Sequence, residues 1–495
     1  MKSISRQPAK VSYFFDQGYR DVANAIRTLW TVNAQTSKQY HDQYETYGLM
    51  SFKGVWRLFC SLSVIVFGTI FSAAISLATL LVLAFFFMLI YIGFTLVWLF
   101  DRYYLIHKKI FTACNECKSN FLIPVYICPQ CGAEHTNLTP GKYGILHRTC
   151  NCGRKLPTTF FNGRRKLTAK CPVCAKNGRV TILFDRESRP LCVPIVGGRS
   201  VGKTAFITAF SRDFIEKTAP ARGLRIEQYN AAKQKIYAEI RNDYDSGATR
   251  MTDRPQDIHM ASSVSFSFFV KHPRLHPERL IHVYDIAGEV FTDSSENEVQ
   301  KQYEYCQGIV LILDPFSIPS VRYRYEKRMA PEDLAGIGKA DINGIINVFI
   351  NKLRAVTGLS DRKMARVPLA VVIGKADSAG LGEEFSAGRL RQIKEKYAGK
   401  KEIPDDDAMD FRCREFLIEN GMQSFVNTID IQFRDNRFFV CSAIGHARDH
   451  GEYRPSGVSD PMEWIIRKAD KSLGALLGDR SFSRTPVLKN AAKEL

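Results

Sequence analysis

The chain has 495 residues, room for two or three domains at ~100–200 residues each. Charged residues make up 24% and hydrophobic ones 45%, near the ordinary soluble average, which excludes global disorder and collagen-like or mucin-like composition. Lys+Arg 69 against Asp+Glu 50 leaves a formal charge of +19, suited to an anionic partner such as lipid headgroups, nucleic acid or nucleotide, without choosing among them.

Residues 1–57 read as an N-terminal extension in which Val22, Ala23, Ile26, Leu29 and Trp30 recur at helical spacing. Such a stretch packs on a cytosolic domain or lies on a membrane surface. From Leu58 to Phe100 there is no Asp, Glu, Lys, Arg or His. At ~1.5 Å per residue that run is about 64 Å long, twice a ~30 Å hydrocarbon core. The expectation over 58–100 is therefore a transmembrane hairpin of two spans, with a tight turn between Ser72 and Thr79. Lys53 and Arg57 before the run and Arg102, Lys108 and Lys109 after it place both ends in the cytosol by the positive-inside rule.

Eight of the 13 cysteines follow at once, within 112–176. Cys114 and Cys117, Cys128 and Cys131, Cys150 and Cys152, and Cys171 and Cys174 form four close pairs. Two thiolates on one tight turn can face one metal ion, and two such turns make the closed four-sulfur site that Zn²⁺ prefers. Tandem zinc ribbons holding two ions are expected, ahead of an iron–sulfur cluster or disulfides, which a cytosolic placement disfavours. Eight cysteines complete two sites, so His135 and His147 are left out. Between Asp101 and Pro190 there are 16 Lys+Arg against 5 Asp+Glu. This basic character suits anionic lipid beside a membrane segment, ahead of a protein partner or nucleic acid.

Leu191–Val196 reads as a buried strand and runs into Gly197-Gly198-Arg199-Ser200-Val201-Gly202-Lys203-Thr204, followed by a helical stretch from Ala205. This is G-x-x-x-x-G-K-T: glycines that let backbone N–H groups face phosphates, a lysine for the β- and γ-phosphates, and a hydroxyl for Mg²⁺. The helix start adds its dipole to the same phosphates. A second strand, Leu280–Tyr284, ends in Asp285-Ile286-Ala287-Gly288-Glu289. There Asp285 suits the Mg²⁺ shell and Gly288 suits an N–H contact to the γ-phosphate. A third strand covers 308–313 and a fourth 368–373, the latter leading to Gly374-Lys375-Ala376-Asp377. In a guanine site of this type the stem of Lys375 covers the base, and Asp377 accepts from its ring N–H and exocyclic amine. The same four letters at 338–341 follow no strand and are treated as a decoy. Phe438–Cys441 leads into Ser442-Ala443, where a base-contacting loop is expected.

With these motifs in order, residues 190–475 resemble the translation-factor-like and Ras-like P-loop GTPases. The resemblance implies an α/β fold with a doubly wound, mainly parallel sheet, and GTP with Mg²⁺ at the carboxyl ends of its strands. The combination with a membrane hairpin and zinc ribbons also resembles the bacterial membrane-associated double-GTPase family, proposed to act in conflict or defence systems beside a second GTPase. The sequence departs from the family pattern in three places. Gly374 stands where Asn or Thr is usual, and Glu289 stands where Gln commonly orients water, which implies slow hydrolysis. The switch threonine for Mg²⁺ is Thr249 or Thr252, with Thr252 preferred.

These readings combine into a membrane-anchored, cytosolic GTP-binding switch. Lys203 and Glu289 are its catalytic candidates, Thr204, Thr252 and Asp285 hold Mg²⁺, and residues 197–205, Asp285, Gly288, Lys375, Asp377, Ser442 and Ala443 bind nucleotide. Its partner is expected to be an effector or a second GTPase. The alternatives are a nucleotide-dependent scaffold with little turnover, whose ribbons bind nucleic acid or protein, and a P-loop ATPase. An extra helix is expected from 342 to 353, and residues 476–495 form a basic, mobile tail.

Overall fold

The computed structural model describes all residues except 1–6, 115–116, 118, 177, 179–180, 184–187, 199, 230, 247–264, 286–305, 330–333, 335–336, 338–341, 358–365, 399–401, 446–452, 479, 481, 483–484 and 495. The chain divides into two units, one of residues 1–109 with 123–187, the other of 110–122 with 188–495.

In the first unit, helix α1 (Gln17–Tyr47) and helix α2 (Phe52–His107) pack against each other. The expected turn between Ser72 and Thr79 does not occur, because α2 is continuous through it. The physical reason lies in the local sequence: Ser72–Thr79 has no Pro, Gly or Asn to break the helix, and Ala and Leu favour its continuation. The antiparallel leg is α1 instead. Ser37 meets Ser61 at 3.1 Å, Trp30 Nε1 donates to Ser76 Oγ at 3.0 Å, and Phe15 packs on Phe87, Tyr91 and Phe94. Close approach requires Gly68, where an added Cβ would lie 2.1 Å from Asn33 Oδ1. The N-terminal extension thus packs along the apolar helix, which corrects both placements expected for it.

After α2, short strands at Val125–Ile127, Glu134–His135, Ala169–Lys170 and Ile182–Leu183 form one small antiparallel sheet, and His147–Thr149 pairs with Lys155–Pro157 in another. Asp101, immediately after the apolar run, ties α2 to this region. Its buried carboxylate accepts from Arg164 Nη1 at 3.0 Å and from the Phe160 N–H at 2.8 Å.

The second unit is built on a seven-stranded mixed sheet of β1 (Arg189–Gly197), β2 (Arg225–Gln228), β3 (Ser265–Lys271), β4 (Arg279–Asp285), β5 (Ile309–Leu313), β6 (Leu369–Ile373) and β7 (Asn436–Val440). Their order is β2-β3-β4-β1-β5-β6-β7. The β2–β3 and β3–β4 pairs are antiparallel, and the other four are parallel. The parallel strands are buried on both faces, so their sequences are continuously apolar. Alternation still sorts them. Leu191, Val193, Ile195, Val310 and Ile312 pack with Phe206 and Phe210 of α3 (Lys203–Asp213) and with Trp464 and Ile465 of the helix at Ser459–Ala469. Val196, Ile309, Leu311 and Leu313 pack on the other face with Ile346 and Phe349 of α4 (Ile342–Thr357) and with Phe416 and Phe425. The expected extra helix is therefore α4, four residues longer than read.

The expected mobile tail contains helix α5 (Pro486–Glu494), and its Leu488 is buried against Leu390, Ile393, Ala408 and Phe411. Val487, Leu488, Ala491 and Ala492 in a basic stretch were too few to reveal it.

At the amino ends of β1 and β4, the side chains of Arg189 and Arg279 both reach Asp470, with Arg189 Nη1 at 3.2 Å from it. Asp470 also accepts from the Ser472 and Leu473 N–H groups at 3.0 and 3.1 Å, capping the helix that starts at Lys471. Burial pushes the Asp470 carboxyl up, but the hydrogen bond and charge of Arg279 and the charge of Arg189 outweigh it and hold it below the usual carboxylate range. A depressed carboxyl contributes stability in full above its unfolded pKa of ~3.9, and that stability is lost as pH falls through the folded value. Asp470→Asn should therefore destabilise this unit by about 3–5 kcal/mol at neutral pH. The difference from the parent should shrink below about pH 4. Hydrogen exchange of β1 and β4 in the full chain reads both effects, and parent-like protection at neutral pH would contradict the role given to the triad.

Candidate nucleotide and metal sites

The four consecutive parallel pairings leave the carboxyl ends of β4, β1, β5, β6 and β7 at one edge of the sheet, where ligands of open α/β sheets bind. Four of the sequence motifs sit there. Gly197 ends β1, and an added Cβ would lie 2.6 Å from the Ile312 carbonyl oxygen of β5, so only glycine fits. Ser200 and Gly202 turn the loop with φ of +60° and +89°, and Gly202 caps α3. Lys203 is buried, and its Nζ donates to the carbonyls of Gly197 at 3.1 Å and Gly198 at 2.8 Å, so the ammonium lies back across the loop. Thr204 Oγ1 donates to Asp285 Oδ2 at 2.7 Å. The loop hydroxyl and the strand-end carboxylate therefore meet as a pair of hard oxygen donors, which fits Mg²⁺. Val201 is buried in the core face and Ala205 continues α3. Arg199, Thr249, Thr252, Gly288, Glu289 and the decoy at 338–341 lie outside the described residues.

The other half of the edge is formed by the ends of β5, β6 and β7. The Gly374 N–H donates to Leu313 O at 2.9 Å and the Ala376 N–H to Cys441 O at 3.2 Å, which fixes the 374–377 turn between its neighbours. Lys375 has a φ of +54°, and its Nζ donates to Asp314 Oδ2 at 2.6 Å. The Asp314 side chain is fully buried, and its other oxygen accepts from the Phe316 N–H at 3.0 Å. An added Cβ at Gly374 would meet Leu313 O at 3.4 Å and Ile312 Cγ2 at 3.5 Å, ordinary contacts. Glycine there is not forced by crowding at Cβ. Asp377 is half-buried. Burial pushes the Cys441 thiol up, with the Asp377 and Asp460 charges adding to it, so this cysteine is an inert core residue. Ser442 pairs with Ser456 through N–H···O contacts of 2.9 and 2.8 Å, and its Oγ accepts from the Gly445 N–H at 2.7 Å. The Tyr244 hydroxyl donates to Ala443 O, so the Ser442–Ala443 loop is braced from two sides.

Asp314 was missed by the sequence reading. Its signal was available as an acid directly after five apolar residues of a strand, the same grammar that identified Asp285.

Cys128, Cys131, Cys150 and Cys152, the second and third pairs, form one group with all four sulfurs within 4.8 Å of one another. Spacing along the chain left open which pairs share a site, and the fold brings the second and third turns together. Burial pushes the Cys128 thiol up, yet the N–H groups of Cys131 and Gln130 outweigh it and bring it down to about 7, a donor ready to bind as thiolate. The donor chemistry fits a structural zinc site. Of the other four, Cys114 and Cys117 belong to the second unit and Cys171 and Cys174 to the first. His135 and His147 belong to neither set.

Residues 191–414 match the family model described as Double-GTPase 2. Over that segment the chain is similar to the double-GTPase family. No curated protein matches the chain. Among solved structures, the chain is similar to the Arl6 BBS3 small GTPase of Trypanosoma brucei, with 12% identity over 57% of this chain and 99% of that one, at a TM-score of 0.25. It is also similar to the S. cerevisiae Ski7 GTPase-like domain, with 14% identity, 57% and 50% coverage and a TM-score of 0.26. The G domain of the T. maritima FeoB iron transporter gives 11% identity, 57% and 99% coverage and a TM-score of 0.22. The fold assignment rests on the strand order and loop geometry above rather than on these overlaps.

Asp314 yields a direct prediction. Asp314→Asn removes the charged partner of Lys375 and should weaken GDP binding about 10-fold, the ~1.5 kcal/mol of a hydrogen bond between charged groups. Inosine diphosphate should lose as much on the expectation that the Lys375 stem covers the ring rather than reading its exocyclic amine. Competition binding with both nucleotides tests this, and unchanged affinity would make the pair purely structural.

Proposed function

We propose that the chain is a membrane-anchored, GTP-dependent switch that hydrolyses GTP slowly and passes its nucleotide state to a protein partner, an effector or a second GTPase. The observation that carries the reading is the convergence at one sheet edge of Lys203, the Thr204–Asp285 pair, the Asp314–Lys375 pair, Asp377 and Ser442. Lys203 binds the β- and γ-phosphates. Thr204 and Asp285, with Thr252, hold Mg²⁺, which when bound supplies charge neutralisation on the phosphate oxygens. Asp377 accepts from the guanine ring N–H and exocyclic amine, a pattern adenine lacks. Gly288 contacts the γ-phosphate, and Glu289 replaces the usual water-orienting Gln, which supports slow turnover. That same residue favours a second reading, a nucleotide-gated scaffold with negligible hydrolysis. A role in a bacterial conflict system is part of the proposal and follows from the family resemblance alone.

The membrane reading rests on α2, whose 56 residues have a hydropathy of 2.7 over the best window, with none of that window buried by protein. A helix this apolar and uncovered is costly in water at about 25 cal/mol per Å² of apolar surface. The ribbons and the GTPase domain are assigned to the cytosolic side. The two sets of four cysteines hold one structural Zn²⁺ each, crosslinking a region with little apolar core.

Full-length protein in detergent should bind GTP in preference to ATP, and Lys203→Ala should abolish binding and turnover. Asp377→Asn should lower GTP affinity roughly 100-fold, as two charge-assisted hydrogen bonds are lost. It should shift preference toward xanthosine triphosphate, whose C2 oxygen accepts a hydrogen bond. Equal loss for all bases would refute the assignment of Asp377. For zinc, Cys150→Ser and Cys171→Ser should each remove one ion per chain by elemental analysis, and the double variant both. An undiminished count would rule out the four-sulfur sites.

A further inference from the structure

The apolar surface of α2 continues onto the cysteine-rich region. Phe100 ends the uncharged run and is 60% exposed, and Phe161 stacks on it with ring centroids 5.8 Å apart while remaining 59% exposed. Tyr104 lies against Phe161 at 4.5 Å. Leu146, also exposed, adjoins this turn, because its carbonyl accepts from Asn162 Nδ2 at 2.7 Å. Along the chain, the charge flanking the patch has one sign. Asp101 is the sole acidic residue from 46 to 115, and its carboxylate is taken out of the surface by Arg164 and the Phe160 N–H. Arg165, whose guanidinium lies 5.4 Å from the Phe160 ring centre, and exposed Lys166, Lys108 and Lys109 are left without an acidic neighbour in sequence.

We propose that the Phe160–Lys166 turn, with Leu146, lies in the headgroup layer of an anionic membrane and sets the depth at which α2 leaves the hydrocarbon, at Phe100. Two features of the patch select lipid over a protein or nucleic acid. It is continuous with the apolar surface of α2, and its rim of basic side chains complements acidic headgroups, each worth ~1 kcal/mol near the surface. Exposed aromatic rings at such a boundary are the usual interfacial anchors. This inference rests on the reading that α2 lies in a bilayer.

Full-length Phe161→Trp and Leu89→Trp variants, reconstituted in phosphatidylcholine vesicles with or without phosphatidylserine, separate the two claims. Emission in excess of the parent is read with lipids brominated near the headgroup or near the chain end. Phe161→Trp should lose most of its excess emission to headgroup-proximal bromine and less to chain-end bromine. Adding Arg165→Glu and Lys166→Glu should restore emission, most strongly in the phosphatidylserine vesicles. Quenching of Leu89→Trp alone would overturn the headgroup placement while leaving α2 in the membrane. Quenching of neither would overturn both. Quenching of Phe161→Trp by added single-stranded DNA but not by bromolipid would make the patch a nucleic-acid surface and overturn the proposal. Zinc content of each variant, equal to the parent's, certifies that the ribbons are intact.

Discussion

The nucleotide edge depends on β1 being flanked on both sides by parallel strands. β4 pairs with it so that Asp285 stands beside Ile195, and β5 pairs so that Ile312 stands beside Gly197. The first register brings a carboxylate to the hydroxyl of Thr204, and the second presses a carbonyl so close to Gly197 that no side chain fits. Shifting either strand by one residue would reverse which side chains face the core, so the core and the site are fixed by the same registers. Apolar packing thereby positions polar chemistry without polar residues of its own.

Buried ion pairs do the corresponding work at the ends of the strands. Asp470 gathers Arg189 and Arg279 at the amino ends of β1 and β4, and Asp407 meets Arg437 of β7. Arg414 is held by Asp410 and by Asp430. At the carboxyl ends, Asp314 holds Lys375. Such pairs add little net stability over apolar equivalents, but removing one partner leaves a buried charge uncompensated. They therefore specify which ends meet, and in the case of Asp314 they specify where a lysine stem lies.

The phosphate loop was legible because all its parts are contiguous, from Gly197 to Thr204, and each residue type has one reason to be there. Asp285 and Asp377 were legible because each follows an apolar strand. Asp314 satisfies the same rule, yet its role depends on a lysine 61 residues away, and Asp470 meets an arginine 191 residues away. No local pattern encodes such distances. The apolar run from Leu58 to Phe100 showed its chemistry plainly but not its conformation. Length alone suggested a fold-back, whereas the absence of a breaker between Ser72 and Thr79 decided for one helix. The cysteine pairs were equally plain, and only the fold could decide which pairs share a site.

The first unit carries a further constraint on topology. Ahead of α1, Ala9 bridges to Cys150, the Lys10 N–H donates to Thr149 O at 2.9 Å, and the Asn151 N–H donates to Pro8 O at 3.1 Å. The chain before α1 is thus stitched to the same region that follows α2. Backbone segments joined by hydrogen bonds cannot stand on opposite faces of a bilayer. On the membrane reading proposed above, any crossings between Ser12 and His147 are then even in number. The same parity is the expectation drawn from the basic residues on both flanks of the apolar run. With α2 unbroken, the helix that packs along it is α1, which unlike the apolar run carries Arg20, Asp21, Arg27, Lys38, Asp42 and Glu45.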